Sequence, residues 1–341
     1  MHSFELTWDR GTAWVEPLGG MLGPVDFTLP DGRRIQPLAV APWGADSGKE
    51  YDALPSLLKR LRGEWPCVPF GAPKTPEELP AHWTGITQNG TGNDFHGYAA
   101  NHLWTCTRHG PDRLCLGIDY PEDHVISSLS REITGVAGAA ELAILLRITA
   151  RIECRLPVAL HPVFALPSTP GMVEIVPDRM SGGHTYPIDV EPGVSRLITD
   201  RSFDRLAAVP SADGPVDLSC LPLPFDTEEI LQIFGVGGRV TLRNMQDRYE
   251  SWVAFDPEIF PSVLLWISNR GRRAYPWNGR FLAVGIEPAR SAFDLGTAVG
   301  AHPGNPIARS GVQTALELRA GETFVTRYRI GAGPLAVRQS A

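Results

Sequence analysis

A large antiparallel β-sandwich with few short helices, in the all-β class, is the fold this sequence predicts. Three observations point there. Glycine and proline, 35 and 31 of 341 residues, make up roughly one residue in five, against about 12% in an average protein. Stretches free of both are too scarce for a coiled coil or a helical bundle. The apolar residues fall in short continuous or alternating runs, bounded by Gly, Pro, Asn and Asp, at the spacing of a sandwich or barrel. A hydrophobic share of 43% with 9% aromatics is enough to build a core, which argues against disorder.

The elements follow in chain order. Residues 4–8 and 12–17 read as two strands joined by an Asp9-Arg10-Gly11 turn. Residues 21–29 read as a third, closed by Pro30-Asp31-Gly32, a turn with proline at its first central position. A short helix is expected at 51–62, where YDALPSLLKRLR stands. Strands follow at 103–107, 113–118 and 124–132. Residues 141–156 keep a polar period of two through Leu145, Arg147, Thr149, Arg151 and Glu153, which favours one long half-exposed strand. A second, weaker helix is expected near 227–234. Residues 264–268 and 282–287 look like short buried strands, and 323–330 alternates again. No internal repeat or linker interrupts the chain, so residues 1–341 read as a single domain.

Composition narrows the function. The net charge of −7 and pI near 5.7 give no basic nucleic-acid footprint. No stretch approaches the ~18 apolar residues of a membrane helix. The five cysteines (Cys67, Cys106, Cys115, Cys154 and Cys220) are scattered without CxxC spacing, and read as reduced thiols. Residues 1–14 lack a basic segment followed by an apolar one, so the cytoplasm is the expected compartment. Asn89-Gly90-Thr91 then reads as a turn and not a glycosylation site. The loop-like Phe234-Gly235-Val236-Gly237-Gly238-Arg239-Val240 has Val240 where a dinucleotide fingerprint needs glycine, and reads as a hairpin turn. The nine histidines show no metal spacing. No metal, cofactor, nucleic-acid or membrane partner is expected.

Three segments carry ionisable residues at the edges of apolar runs. They are Asn93-Asp94-Phe95-His96-Gly97-Tyr98-Ala99-Ala100 with Trp104 beyond, Pro157-Val158-Ala159-Leu160-His161-Pro162-Val163-Phe164, and Val284-Gly285-Ile286-Glu287-Pro288. A Glu closing a hydrophobic strand is costly to bury without partners. A histidine facing it would form an acid–base pair whose proton affinities are displaced by burial and mutual charge.

The order of these segments resembles the aldose 1-epimerase family, the galactose mutarotases, over most of the chain. AWVEPLGGMLGPVDFTLPDGRRIQPL is similar to the family's first hairpins. Arg62-Gly63-Glu64-Trp65-Pro66-Cys67-Val68-Pro69-Phe70-Gly71 resembles the Arg-Gly-Gly…Pro…Phe-Gly loop of the glucose-6-phosphate-epimerase-like branch, about two residues shortened. His96-Gly97 with Trp104 resembles that branch's His-Gly…Trp signature. His161-Pro162-Val163-Phe164 and Ile286-Glu287-Pro288 resemble the His-Pro-Tyr-Phe and Glu-Pro segments.

The resemblance implies a galactose mutarotase-like supersandwich that interconverts the α and β anomers of an aldose without a cofactor. It implies Glu287 as base and His161 as acid, the histidine held protonated by the neighbouring carboxylate. His96 would bind or polarise a sugar oxygen, Arg62 would hydrogen-bond hydroxyls, and Asp226 would orient the sugar. Trp65, Trp104, Trp266 and Trp277 are candidates to stack on a sugar face.

Two departures bear on substrate. Ala100 stands where the phosphosugar branch has Arg, which favours an unphosphorylated monosaccharide. Val163 replaces a Tyr beside His161. These departures keep open a non-catalytic carbohydrate-binding or sensing protein on the same fold. A lyase or glycosidase would usually bring a further catalytic domain, for which the chain leaves little room.

Overall fold

Side-chain alternation decides how the strands pack. In the computed structural model, which describes residues 2–84 and 94–336, a nine-stranded and an eight-stranded sheet lie face to face. The named strands pair antiparallel throughout. The nine-stranded sheet has at its centre Tyr249–Ala254, Thr323–Pro334, Glu141–Ala150 and Ile126–Gly135. Its strands alternate buried and half-exposed residues, so one face meets the core and the other meets water. The eight-stranded sheet is built around Thr227–Phe234, Ser262–Asn269 and Leu282–Arg290, which are buried almost throughout. Both of its faces are therefore covered. Leu231, Ile233, Val263, Leu265, Ile267, Val284 and Ile286 point into the core between the sheets. Each aliphatic side chain so buried contributes about 1.5–3 kcal/mol. Their neighbours in sequence point the other way, into a second apolar cluster with Trp43, Trp65 and Phe293. A four-stranded sheet of residues from Phe4 to Ile35 packs at one side.

The all-β class holds, and several local expectations need correction. The segment 227–234 is a central strand and not a helix. Its Ile230, Leu231, Ile233 and Phe234 are β-formers, and burial on both faces hid the period of two. The helix expected at 51–62 is two four-residue helices, Lys49–Asp52 and Ser56–Lys59, separated at Pro55, which lacks the N–H that a continuous helix would need. The long strand at 141–156 divides into Glu141–Ala150 and Cys154–Leu156, which belong to different sheets. Phe234–Val240 is not a hairpin. It carries the chain from the eight-stranded sheet to the nine-stranded one. The Leu29–Gly32 turn forms as expected, with Gly32 N–H donating to Leu29 O at 2.9 Å. All five cysteines are free thiols. Asn89-Gly90-Thr91 and Asn93 lie outside the described residues. Among the described residues no helix is long and apolar enough to cross a membrane.

One charged group crosses the core. Arg131, at an inward position of Ile126–Gly135, is 1% exposed. It pairs with the buried Glu64 and donates to Gly20 O at 2.7 Å and Tyr328 Oη at 3.1 Å. Tyr328 in turn donates to Glu64 Oε1 at 2.6 Å. Burial works against the Arg131 charge, but Glu64 and Tyr328 together outweigh it and the guanidinium pKa is raised.

Candidate active site

The outer face of the eight-stranded sheet forms the floor of an open cleft. Antiparallel register sets three rows across its central strands: Gln232–Leu264–Glu287, Ile230–Trp266–Gly285 and Glu228–Ser268–Ala283. Glu287 thus lies beside Leu264, two positions along the strand from Gly285. A Cβ on Gly285 would stand 2.4 Å from Glu287 Oε1, so the carboxyl occupies space that only glycine leaves free.

His161 reaches Glu287 through a break in the sheet. Val158–Leu160 and Val163–Ala165 both pair with Leu282–Arg290, leaving His161-Pro162 opposite Glu287. Pro162 has no N–H to give the ladder, and its carbonyl accepts instead from Ile286 N–H at 2.9 Å. The His161 ring stacks on Trp65 with centroids 4.1 Å apart. Its Nε2 lies 3.4 Å from Glu287 Oε1, long for a hydrogen bond. Among the described residues, His161 Nδ1 and Glu287 Oε1 have no hydrogen-bond partner although both are buried.

His96 joins them edge-on, its ring 5.0 Å from that of His161. It has a φ of +61° and stacks on Phe70. Gly71 N–H donates to His96 Nδ1 at 3.3 Å, which places the hydrogen of the neutral ring on Nε2. Gly97 is required next to it, because a Cβ there would meet Val68 O at 2.3 Å.

Burial dominates the proton affinities. It lowers the pKa of His96 well below the histidine range, with His161 adding to the effect, and takes His161 down to about 3. It raises Glu287 well above the carboxylate range, helped by the negative charge of Asp294, and raises Asp294 as well. Burial thus works against the charged pair that the resemblance implies, although the two groups stand 3.4 Å apart.

The cleft is shallow and narrow, with a volume of about 80 Å³, small beside most ligand pockets. His96, His161 and Glu287 line it together, with Trp65, Trp266 and Trp277. Trp104 instead packs in the core between the sheets and donates to Ala99 O. Arg62 and Asp226 do not line it. Arg62 points to Glu16, 3.8 Å away, and donates to Arg60 O. Asp226 pairs with Arg273 and Arg270 at a partly exposed turn.

Two charged residues of the cleft escaped the sequence reading, Arg272 and Asp294. Arg272 lies over Trp277, 4.7 Å from the ring centroid, and faces Glu228 at 3.5 Å and Glu191 at 3.7 Å. Asp294 sits in a turn after the Glu287 strand. Neither stands in a recognisable motif, and the only signal was the buried strand running toward each.

No family model matches the sequence, and no curated protein does. Solved structures match along nearly the whole chain. A protein from Escherichia coli K12, provisionally named an aldose 1-epimerase, superposes with a TM-score of 0.66 at 17% identity, covering 98% of this chain and 99% of its own. A galactose mutarotase related enzyme from Lactobacillus acidophilus gives 0.61 at 13% identity, with 100% of both chains covered. A GalM/aldose epimerase homologue from C. elegans gives 0.62 at 14%, over 98% and 99%. At these identities the likeness shows the fold, and the fold is galactose mutarotase-like.

Proposed function

We propose that the protein is an aldose 1-epimerase-like isomerase, exchanging the α and β anomers of a monosaccharide by acid–base opening and closing of the ring. One observation carries the reading. In this fold, His161 and Glu287 meet on the floor of an open cleft, buried, with polar atoms that have no partner among the described residues.

The pair shares one exchangeable proton. The hydroxyls of a bound sugar hydrogen-bond to the charged forms, and so favour the ionised arrangement, with carboxylate on Glu287 and imidazolium on His161. Glu287 then takes the proton of the anomeric hydroxyl while His161 gives one to the ring oxygen. The bond from C1 to the ring oxygen breaks and a C1 aldehyde forms. Rotation about C1–C2 presents its other face, and closure runs the transfers backward, returning both protons. His96 offers Nε2–H to a sugar oxygen.

Arg272 is the only cation lining the cleft among the described residues, and two carboxyl groups already face it. That supports an unphosphorylated substrate. Polarimetry or NMR of freshly dissolved α-D-glucose, α-D-galactose and other aldoses tests the function. The expected result is faster approach to anomeric equilibrium than in buffer for at least one sugar. No acceleration across the panel by folded protein overturns it. Binding without exchange would instead indicate a carbohydrate-binding protein, a reading favoured by the departures at Ala100 and Val163.

A further inference from the structure

We propose that Asp294 is a substrate-binding residue of this cleft, whose free carboxyl oxygen Oδ1 accepts a hydrogen bond from a hydroxyl of the bound aldose. The proposal rests on the sugar-binding reading of the site and adds a residue to it.

Asp294 is 9% exposed and lines the cleft with His161 and Glu287. Its Oδ1 has no hydrogen-bond partner among the described residues. Tyr186 and the backbone N–H of Asp294 hydrogen-bond to the carboxyl, yet Oδ1 is left without a partner among the described residues. A buried oxygen without a partner is costly, and native proteins keep few of them.

The backbone that presents Asp294 is also strained. Phe293 has a φ of +50°, in the left-handed region that a bulky side chain avoids. Buried Gln232 holds it there. Gln232 Oε1 accepts from Phe293 N–H at 2.7 Å, while Nε2 donates to Ser291 O at 2.8 Å and Ser262 Oγ at 2.7 Å. Strain kept by dedicated bonds marks a placed group.

A second tether joins this turn to the His96 segment. Ala72 N–H donates to Asp294 O at 2.8 Å, and Gly71, which bonds His96, approaches Asp294 O so closely that a Cβ would lie 2.4 Å from it. Asp294 and His96 are therefore fixed relative to each other across one short strap. Among the described residues, no group bonds the free oxygen. A sugar hydroxyl, a donor at hydrogen-bond reach, would satisfy it.

Calorimetric or NMR titration of the wild-type protein and Asp294→Asn with an aldose and its monodeoxy analogues tests this. Asn matches Asp in shape and presents an N–H₂ or a weaker acceptor at the same place. The expected result is at least tenfold weaker binding of the parent sugar by Asp294→Asn. One monodeoxy analogue should lose affinity for the wild type but not for the variant. If the Asn variant melts early, Asp294→Ser carries the same comparison. Equal affinities with unchanged discrimination overturn the proposal while leaving anomer exchange intact. Asp294-dependent binding without anomer exchange keeps the proposal and removes the catalytic reading. A wild type that binds no aldose in the panel overturns both.

Discussion

The protein buries ionisable groups in two places, and finishes them differently. Between the sheets, Arg131, Glu64 and Tyr328 close a network in which opposite charges meet and both Glu64 oxygens accept hydrogen bonds. On the outer face of the smaller sheet, His161 and Glu287 stand at 3.4 Å with polar atoms left over, and Asp294 beside them also keeps a free oxygen. Burial is nearly complete in both places. The network uses its partners to keep its charges, so Arg131 has a raised pKa. The pair lacks such partners, so burial works against its charges, lowering the pKa of His161 and raising that of Glu287. A network whose opposite charges are paired serves the fold, even with Arg131 Nε left without a partner among the described residues. An incomplete one at a cleft has capacity left for a ligand. Loss of a group should therefore affect stability in the first case and activity in the second.

Glu287→Gln should break the contrast most sharply if it is wrong. The amide keeps the shape and cannot exchange the proton. Anomer exchange should fall about 10²–10⁴-fold, the usual weight of a general acid or base. The melting temperature at neutral pH should hold or rise, because folding no longer forces a carboxylate to take up a proton. Polarimetry and thermal unfolding on one preparation decide it. Unchanged exchange would remove Glu287 from the chemistry.

Arg131→Met should do the reverse. It leaves Glu64 buried without its cation, which typically costs about 3–5 kcal/mol. Urea unfolding should show that loss, and removing both charges in Arg131→Met with Glu64→Leu should recover much of it. Turnover per folded molecule should change less than tenfold, although Glu64 precedes the Trp65 that stacks on His161. A collapse of turnover with stability intact would place the network in the site.

The pH dependence of stability sharpens the same point. His161 has a pKa of about 3 when folded against 6.5 when unfolded. Below 6.5 the unfolded chain binds a proton that the folded one refuses, so stability falls as pH drops from 6.5 toward 3. Glu287 is raised above its unfolded 4.5, so its contribution is full below 4.5 and is lost as pH climbs toward its folded value. Each unit of separation is worth about 1.4 kcal/mol. Urea unfolding across pH 4–9 should show the alkaline decline in the wild type and a shallower one in Glu287→Gln. Identical profiles would mean that Glu287 is ionised in the folded protein.

The sequence made part of this legible. Strands with one wet face alternate, so Arg113–Asp119 and Thr323–Pro334 could be read directly. The central strand Thr227–Phe234 could not, because a strand covered on both faces loses the alternation that identifies it. The same limit applies to the site. His96, His161 and Glu287 stand out because each interrupts an apolar run beside Gly or Pro, and the structure brings all three to one cleft. Asp294 follows Ser-Ala-Phe, which carries no local mark. Its place depends on Gln232 from another strand and on the φ of Phe293, both tertiary facts. The network was invisible too, since nothing local links residues 64, 131 and 328.

Arg62 supplies the smallest expected effect and the test of where the site ends. The resemblance placed it on the sugar, but its guanidinium lies 3.8 Å from Glu16 and donates to Arg60 O, outside the cleft lining. It is mostly buried, and burial lowers its pKa while Glu16 acts to raise it. Such a pair is partly solvated and long, so Arg62→Met should cost at most about 1 kcal/mol, by the measure of weak ion pairs. The methionine keeps much of the aliphatic stem's packing. KM and kcat for anomer exchange should stay within twofold of wild type. A tenfold rise in KM with the melting temperature unchanged would show Arg62 leaving Glu16 to meet the sugar. The cleft would then close on its ligand, and the boundary between the finished and unfinished regions would lie beyond residue 62.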